Sequence, residues 1–209
     1  MKIEYFYHSM WRLETETTSI VLDPYEDIGY PLPQGLTADA VCSSHDHFDH
    51  NNFSLINGDF VKIKTIGVYK VGDFVIRGYQ TYHDKEKGAL RGENIIFKLS
   101  ANNINILHLG DLGHLLDDDL IKEIGMIDIL MIPIGGTYTI DSKEAKQLVK
   151  MIKPRILMPM HYQTKGGKVD ISNPQEFCSF YENIIKVPKN HIKLDELDFS
   201  KLNVYFFEG

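Results

Sequence analysis

The segment His-Asp-His-Phe-Asp-His, which begins at His45, places three imidazoles and two carboxylates within six residues, directly after the apolar run 40–43. Imidazole nitrogens and carboxylate oxygens are the ligands that zinc and related divalent metals prefer. His45 and His47 are two positions apart, so in an extended segment they project to one side. Asp49 and His50 are adjacent, so their side chains point in different directions from that pair and can bind a second metal. The segment therefore predicts a binuclear metal site, and the fold has to present this segment at the end of a strand.

The size and composition of the chain predict one globular domain spanning residues 1–209. Apolar residues make up 43% and charged residues 24%, without a linker or a break in composition. No apolar run approaches the ~20 residues of a membrane span, and the N-terminus reads as a strand rather than a signal peptide. Cys42 lies in an apolar run far from Cys178, so we expect no disulfide framework and predict a reducing, cytoplasmic location.

The formal net charge of -7 argues against a general nucleic-acid-binding or anionic membrane-binding surface. It is compatible with an anionic substrate, because bound metal ions supply local positive charge. The predicted partner is therefore a small molecule. The sequence leaves the oligomeric state open.

The apolar patterning predicts a mixed α/β fold. Runs of strand length occupy residues 3–7, 19–22, 40–43, 60–63, 66–71, 74–80, 95–99, 104–109, 127–132, 155–160 and 204–207. Gly72-Asp73 and Asn102-Asn103 are predicted hairpin turns. Helices are predicted over residues 117–124, 142–152 and 174–185, and the second has a capping-box pattern at Asp141 and Glu144.

Three further candidate ligands each follow a strand-like run: His83, Asp111 and His161. If these strand ends meet at one edge of the sheets, four separate segments deliver ligands to one place. Loops after rigid strands commonly carry functional residues in mixed folds.

The ordered motifs resemble the metallo-β-lactamase superfamily. They are His45-x-His47-x-Asp49-His50, His83, Leu109-Gly110-Asp111 and Met160-His161-Tyr162. The chain further resembles the branch of small hydrolases that includes ascorbate-6-phosphate lactonase and N-acyl-phosphatidylethanolamine phospholipase. That likeness rests on His8, Asp23-Pro24 and Pro133-Ile134-Gly135-Gly136. The resemblance covers nearly the whole chain and implies an α/β (α+β) fold, a four-layer αββα sandwich with metals at one edge of the paired sheets.

The resemblance also implies which residues bind the metals. The first metal would be bound by His45, His47 and His83. The second would be bound by Asp49, His50 and His161. Asp111 would bridge the two. Histidine at position 47 distinguishes the chain from the oxygen-reducing di-iron branch, which generally carries glutamate there. The expected cofactors are two divalent ions, with Zn²⁺ first and Mn²⁺ or Fe²⁺ as alternatives.

The predicted reaction is hydrolysis of a small ester, a lactone, or a phosphoester or phosphodiester. A metal-bridging hydroxide attacks the carbonyl carbon or phosphorus, and Asp49 orients it and accepts its proton. The chain has no nucleophile elbow, P-loop or dinucleotide fingerprint. Two alternatives stay open at this point: an RNA- or DNA-processing metallonuclease, and a non-catalytic metal-binding scaffold.

Four residues are candidate substrate contacts: His8, Arg91, His114 and Tyr138. A guanidinium matches an anion bidentately, so Arg91 is expected to contact an anionic group of the substrate. The alternative role for His8 is to support a metal ligand rather than to contact substrate. The alternative for His114 is that it is an ordinary loop residue. The polar loops 84–93 and 163–172 follow predicted ligands, and the sequence leaves open whether they act as lids.

Overall fold

The computed structural model describes residues 1–208, which form two β-sheets. The six-stranded sheet has the order β13-β1-β2-β3-β4-β5. Its strands are β1 (Lys2–Tyr5), β2 (Trp11–Glu14), β3 (Ser19–Leu22), β4 (Ala40–Cys42), β5 (Val61–Ile63) and β13 (His191–Lys193). The eight-stranded sheet has the order β12-β14-β11-β10-β9-β8-β7-β6. Its strands are β6 (Gly67–Val71), β7 (Phe74–Tyr82), β8 (Glu93–Ala101), β9 (Ile104–His108), β10 (Ile129–Pro133), β11 (Ile156–Met160), β12 (Ile184–Val187) and β14 (Asn203–Phe207).

The helices are α1 (Asp118–Ile124), α2 (Ser142–Ile152) and α3 (Gln175–Cys178), and Phe53–Leu55 and Leu194–Glu196 form short 3₁₀ turns. The predicted capping box at the start of α2 is confirmed. The Asp141 carboxylate accepts hydrogen bonds from the backbone N–H groups of Lys143 and Glu144, and the Glu144 carboxylate accepts one from the Asp141 N–H. Among residues 1–208, no helix has the length and apolar character needed to cross a membrane.

Alternation of side chains along the strands creates the layers. In β3, Ile20 and Leu22 enter the core between the sheets, whereas Val21 faces outwards. In β10, Ile129 enters the same core and Leu130 packs beneath the helices. Successive strand residues point to opposite faces, so two buried faces require nearly continuous apolar strands.

The predicted sandwich fold is confirmed, with a difference in its fourth layer. The three α-helices cover the outer face of the eight-stranded sheet. The outer face of the six-stranded sheet is covered by the irregular segment 23–39 and by Phe53–Leu55. Prolines 24, 31 and 33 and two glycines interrupt that segment, which explains why it does not form a helix.

The helix predicted over residues 174–185 is wrong beyond Cys178. Its apolar end instead forms β12, which pairs in parallel with β14, for example Ile184 with Val204. The strands β2 and β13 were not predicted from sequence. They are only four and three residues long, and pairing with β1 stabilises both. The hairpin at Asn102-Asn103 is confirmed, and both residues have the positive φ that a tight two-residue turn requires.

Strand direction brings the predicted ligands to one edge. β9, β10 and β11 are parallel. β7 runs in the same direction, because it is antiparallel to β8, which is antiparallel to β9. The carboxyl ends of β7, β9 and β11 therefore lie together, and the loop after β4 meets them from the other sheet.

Candidate metal centre

Asp111 lies at the centre of the converging side chains. Its Oδ2 atom is 3.1 Å from His161 Nε2 and 3.3 Å from His83 Nε2. Its Oδ1 atom is 3.2 Å from His50 Nε2. One buried carboxylate thus faces three imidazoles delivered by three separate segments, as a bridging ligand would.

The remaining candidate ligands lie on either side of Asp111. His45 Nε2 is 3.0 Å from His47 Nδ1. The donor atoms of these two residues and His83 all lie within 4.8 Å of one another. Asp49, His50, His161 and His8 form a second group within the same limit. The structure therefore brings together all seven residues of the predicted ligand set and adds His8 beside them.

Two backbone features place Asp111. Gly110 has φ of +52°, and a Cβ atom there would lie 2.5 Å from both Asn94 Oδ1 and Ser44 Cβ. The Asp111 N–H donates to Asn94 Oδ1 at 3.0 Å, and Asn94 Nδ2 donates to the Leu109 carbonyl. Only glycine fits this turn without displacing the neighbours that hold the carboxylate.

Three residues of the centre adopt left-handed backbone: His8, Asp23 and His161, with φ of 52°, 46° and 49°. Non-glycine residues rarely occupy this region, and those that do cluster at functional sites. The His161 N–H donates to the His8 carbonyl at 2.8 Å, so the two strained residues brace each other.

Asp23 orients the imidazoles from behind. Its carboxylate accepts hydrogen bonds from the Ser44 N–H at 2.7 Å, from Ser44 Oγ at 2.7 Å and from His50 Nδ1 at 2.9 Å. Ser44 Oγ also lies 2.9 Å from His45 Nδ1. Both imidazoles therefore turn their Nε2 atoms towards the centre, which is how carboxylates and hydroxyls behind metal-binding histidines fix ring orientation.

The donor atoms fit divalent metal ions. His50 Nε2 and Asp111 Oδ1 are buried and 3.2 Å apart, yet neither makes a hydrogen bond of acceptable geometry. Buried polar atoms without a partner are rare and costly, so this pair calls for a ligand between or beside them. Nitrogen and oxygen donors without cysteine suit Zn²⁺, Fe²⁺ or Mn²⁺.

Burial and charged neighbours shift the pKa values of three candidate ligands, His45, His50 and Asp111. Burial lowers the pKa of His45 to about 3, so this imidazole is neutral. Burial opposes ionisation of Asp111, but His161 and His50 hold its pKa well below its usual range. Burial also lowers the pKa of His50, yet Asp111 and Asp23 raise it well above its usual value.

An open cleft of about 640 Å³ leads to the centre. Its floor includes the ligand residues His47, Asp49, His83, Asp111 and His161. Its walls are formed by Asp27, Ile28, Phe48, Arg91, Tyr138, Lys168, Val169 and Asp170. A smaller cavity of about 320 Å³ adjoins it, and both cavities are lined by His47 and Arg91.

Of the four predicted substrate contacts, two line the cleft and two do not. Arg91 and Tyr138 line the cleft. His8 is buried behind Asp49 and faces no cavity at the centre. His114 is not brought into the cleft, because its Nε2 accepts from the Tyr82 N–H and its Nδ1 donates to the Leu115 carbonyl.

Hydrogen bonds brace both polar loops, the first within itself and the second against the segment 23–39. The Asp84 carboxylate accepts hydrogen bonds from the N–H groups of Glu86, Gly88, Leu90 and Arg91 at 2.7–3.0 Å. In the second loop, the Lys168 N–H donates to the Ile28 carbonyl at 2.9 Å, and its ammonium pairs with Asp27 at 2.8 Å. The loops thus form preorganised walls of the cleft.

Sequence reasoning did not identify Ser44, Asn94 or Phe48 as parts of the centre. Phe48 lies inside the ligand motif, and its 57% exposure is visible only in the structure. Asn94 acts across the sheet from β8, and its sequence neighbours give no signal of that contact. Ser44 directly precedes His45, so its position next to the motif was the one available signal.

The chain is similar in sequence and fold to known proteins. A family model described as a β-lactamase superfamily domain matches residues 2–161. A UPF0173 metal-dependent hydrolase of Carboxydothermus hydrogenoformans is 29% identical over 194 residues, which cover 78% of this chain and 85% of the relative.

Two solved structures extend the comparison. A Thermotoga maritima protein, described as a Zn-dependent hydrolase of the metallo-β-lactamase superfamily, has a TM-score of 0.84 and 36% identity, covering 99% of this chain and 97% of its own. An isothiocyanate hydrolase from Delia radicum gut bacteria has a TM-score of 0.65 and 13% identity, covering 98% of this chain and 96% of its own. The second likeness concerns the fold alone.

Proposed function

Because this chain belongs to the metallo-β-lactamase superfamily, we propose that it is a zinc-dependent hydrolase with two metal ions. The proposed substrate is a small ester, a lactone, or a phosphoester or phosphodiester. The observation that carries the proposal is the convergence of the seven candidate ligands around the buried Asp111 carboxylate at the floor of an open cleft.

The proposed assignment gives each ligand one role. His45, His47 and His83 hold one ion, Asp49, His50 and His161 hold the other, and Asp111 contacts both. Bound divalent ions supply Lewis acidity and lower the pKa of water towards neutrality. The residues themselves supply orientation, because Asp23 and Ser44 fix the rings of His50 and His45 before any substrate binds.

Asp49 is the proposed proton acceptor. It lines the cleft, and its Oδ2 lies 3.2 Å from His8 Nε2. Burial works against its ionisation, but the hydrogen bond from His8 and the charge of His50 hold its pKa below the usual range. An ionised carboxylate at the cleft floor can hold a water molecule in position and take up its proton.

The nuclease alternative has less support. A channel for nucleic acid needs several free cations to neutralise phosphates. Of the three cations that line the two cavities, Lys64 pairs with Asp46 at 2.5 Å and Lys168 pairs with Asp27 at 2.8 Å. A cleft of about 640 Å³ with one cation outside an ion pair suits a small molecule better.

The test combines metal analysis with a substrate panel. We expect about two divalent ions per chain, together with hydrolysis of at least one class among 4-nitrophenyl esters, lactones and bis(4-nitrophenyl) phosphate. His47→Ala and His161→Ala should abolish hydrolysis and keep the far-ultraviolet circular dichroism spectrum. His191→Ala is the matched control, because His191 lies on β13 and its ring contacts Asn190. Absence of bound metal after reconstitution, or full activity in either ligand variant, would contradict the proposal.

A further inference from the structure

Arg91 differs from the other cations that line the cavities at the metal centre. Within residues 1–208, Lys64 and Lys168 each form an ion pair with a carboxylate, whereas Arg91 forms none. Asp170 also lines the cleft, but it forms no ion pair with Arg91. The Arg91 guanidinium therefore keeps hydrogen-bond donors available beside the candidate metal ligands.

The guanidinium is held in place without being neutralised. It stacks over the Tyr138 ring, with Cζ 4.6 Å from the ring centroid, and one nitrogen lies 3.4 Å from the Thr137 carbonyl. The Arg91 N–H donates to the Asp84 carboxylate at 2.7 Å, which anchors the backbone of the loop. Stacking on one face leaves the edge of the planar group free for bidentate contact.

The position of Arg91 matches an anion remote from the reacting bond. Arg91 and His47 line both the larger and the smaller cavity, so the guanidinium stands where the two adjoin. A substrate whose scissile group lies over Asp111 can extend towards Arg91 along the cleft. The Arg91 side chain is exposed in the open cleft, and its planar guanidinium matches the geometry of a carboxylate or phosphate group bidentately.

We propose that Arg91, positioned by stacking on Tyr138, is an oxyanion-recognition subsite, and that the substrate carries a carboxylate or phosphate group in addition to the bond that is hydrolysed. This inference rests on the proposed hydrolase function and narrows its substrate class. Tyr138 acts through Arg91 as a positioning residue, and its ring rather than its hydroxyl matters.

The first test compares three 4-nitrophenyl esters of equal chain length on the metal-loaded protein. They are the glutarate monoester with a free carboxylate, its methyl ester, and the 4-phosphonobutyrate ester. We expect the wild type to prefer the anionic esters over the methyl ester by about 10- to 100-fold in kcat/KM, the range of a charge-assisted contact. Whichever anionic ester has the larger preference over the methyl ester shows whether Arg91 recognises a carboxylate or a phosphate-like group.

Arg91→Gln should reduce that preference to near unity, because it should lower kcat/KM for the anionic esters far more than for the methyl ester. Lys85→Gln is the matched control: it removes one positive charge from the same loop, but Lys85 pairs with Glu144 and lies outside the cleft lining. Tyr138→Phe should keep the preference, and Tyr138→Ala should reduce it through KM. Equal loss in Arg91→Gln on the charged and neutral esters would overturn the inference.

A binding experiment makes the inference independent of turnover. Titration calorimetry of the zinc-loaded protein with glutarate and with monomethyl glutarate should show that Arg91→Gln weakens glutarate binding about tenfold or more and leaves the monoester unchanged. The same glutarate affinity in wild type and Arg91→Gln, or no glutarate binding by the wild type, would overturn it. Hydrolysis without a charge preference would overturn this inference and leave the proposed function standing; loss of all metal-dependent hydrolysis would count against the function itself.

Discussion

The Nε2 atom of His8 lies 3.2 Å from Oδ2 of Asp49, so a fully buried imidazole contacts a carboxylate that faces the cleft. Burial lowers the pKa of His8 to about 4, which keeps the ring neutral near pH 7. Its Nδ1 atom is buried without a partner, so Nε2 is the nitrogen placed to donate to Asp49. His8 therefore contacts Asp49 from behind and lines neither of the two cavities at the centre.

This contact predicts the effect of replacing His8. His8→Leu should lower kcat or the affinity for the second metal by about 10- to 100-fold, the usual consequence of removing a hydrogen-bond partner from a metal ligand. His8→Gln, which keeps a donor, should recover part of that loss. Steady-state kinetics and competition with a metal chelator measure both quantities. A large rise in KM with unchanged kcat and metal affinity would instead indicate direct substrate contact.

Replacement of Asp23 should disturb two metal-binding imidazoles at once. In Asp23→Asn an amide N–H₂ faces at least one of the donors on Ser44 and His50, so one hydrogen bond becomes a clash between donors. We expect about a 10- to 100-fold loss in metal affinity, measured by chelator competition. Asp39→Asn, which makes the same substitution at a carboxylate that accepts hydrogen bonds from Ser19 away from the centre, should leave metal affinity unchanged.

Gly110→Ala separates steric from conformational effects at the turn before Asp111. The new Cβ atom would lie 2.5 Å from Asn94 Oδ1 and Ser44 Cβ, so Asp111 should shift and metal binding should fall at least tenfold. Gly35→Ala has a similar positive φ of +68° with open space around it, and should show only a loss of about 1 kcal/mol in the free energy of unfolding. Equal metal affinity in both variants would show that the Gly110 turn can adapt.

Metal removal should destabilise the protein. Without ions, His50 Nε2 and Asp111 Oδ1 are buried without a hydrogen-bond partner. A metal that binds only the folded state stabilises that state by about 4 kcal/mol at a metal concentration 1,000 times Kd. We expect a lower melting temperature after chelation and its recovery on addition of Zn²⁺. His161→Ala should show a smaller zinc-induced shift. Identical melting with and without metal would contradict tight binding.

Glu4 should contribute stability that is lost in acid. Burial raises the pKa of Glu4, but hydrogen bonds from Lys2 and Arg12 outweigh it and lower that pKa below the usual 4.5. A carboxyl with a depressed folded-state pKa stabilises fully above its unfolded pKa and progressively less as pH falls through the folded value. The difference in free energy of unfolding between wild type and Glu4→Gln should therefore be largest above pH 6 and shrink below about pH 4.5.

Exposed Glu16 provides the control for that measurement. Denaturant unfolding of Glu16→Gln should differ from wild type by a nearly constant, small amount across the same pH range, as expected for a surface substitution. If the Glu4→Gln difference is also independent of pH, the ion pairs with Lys2 and Arg12 do not persist in solution.

The sequence by itself determined the types of the candidate ligands, their order and most of the strands that precede them. The residues 45–50 carry an unusual concentration of metal-binding side chains, and His83, Asp111 and His161 each follow an apolar run that became a strand. Helix α2 was equally predictable, because its cap and its apolar stripe are local features of the chain. Such signals survive without tertiary information because they depend on neighbours a few positions away.

Only the tertiary structure decided which residues support the centre and which face the substrate. His8 and His114 look alike in sequence, yet one lies behind Asp49 and the other braces the backbone of Tyr82 and Leu115. Arg91 stands out from the lysines that line the two cavities only once their ion pairs are known. Segment 184–187 likewise became a strand through its partner β14 rather than through its own pattern. Each of these outcomes depends on contacts between segments distant in sequence, which local propensity and spacing do not encode.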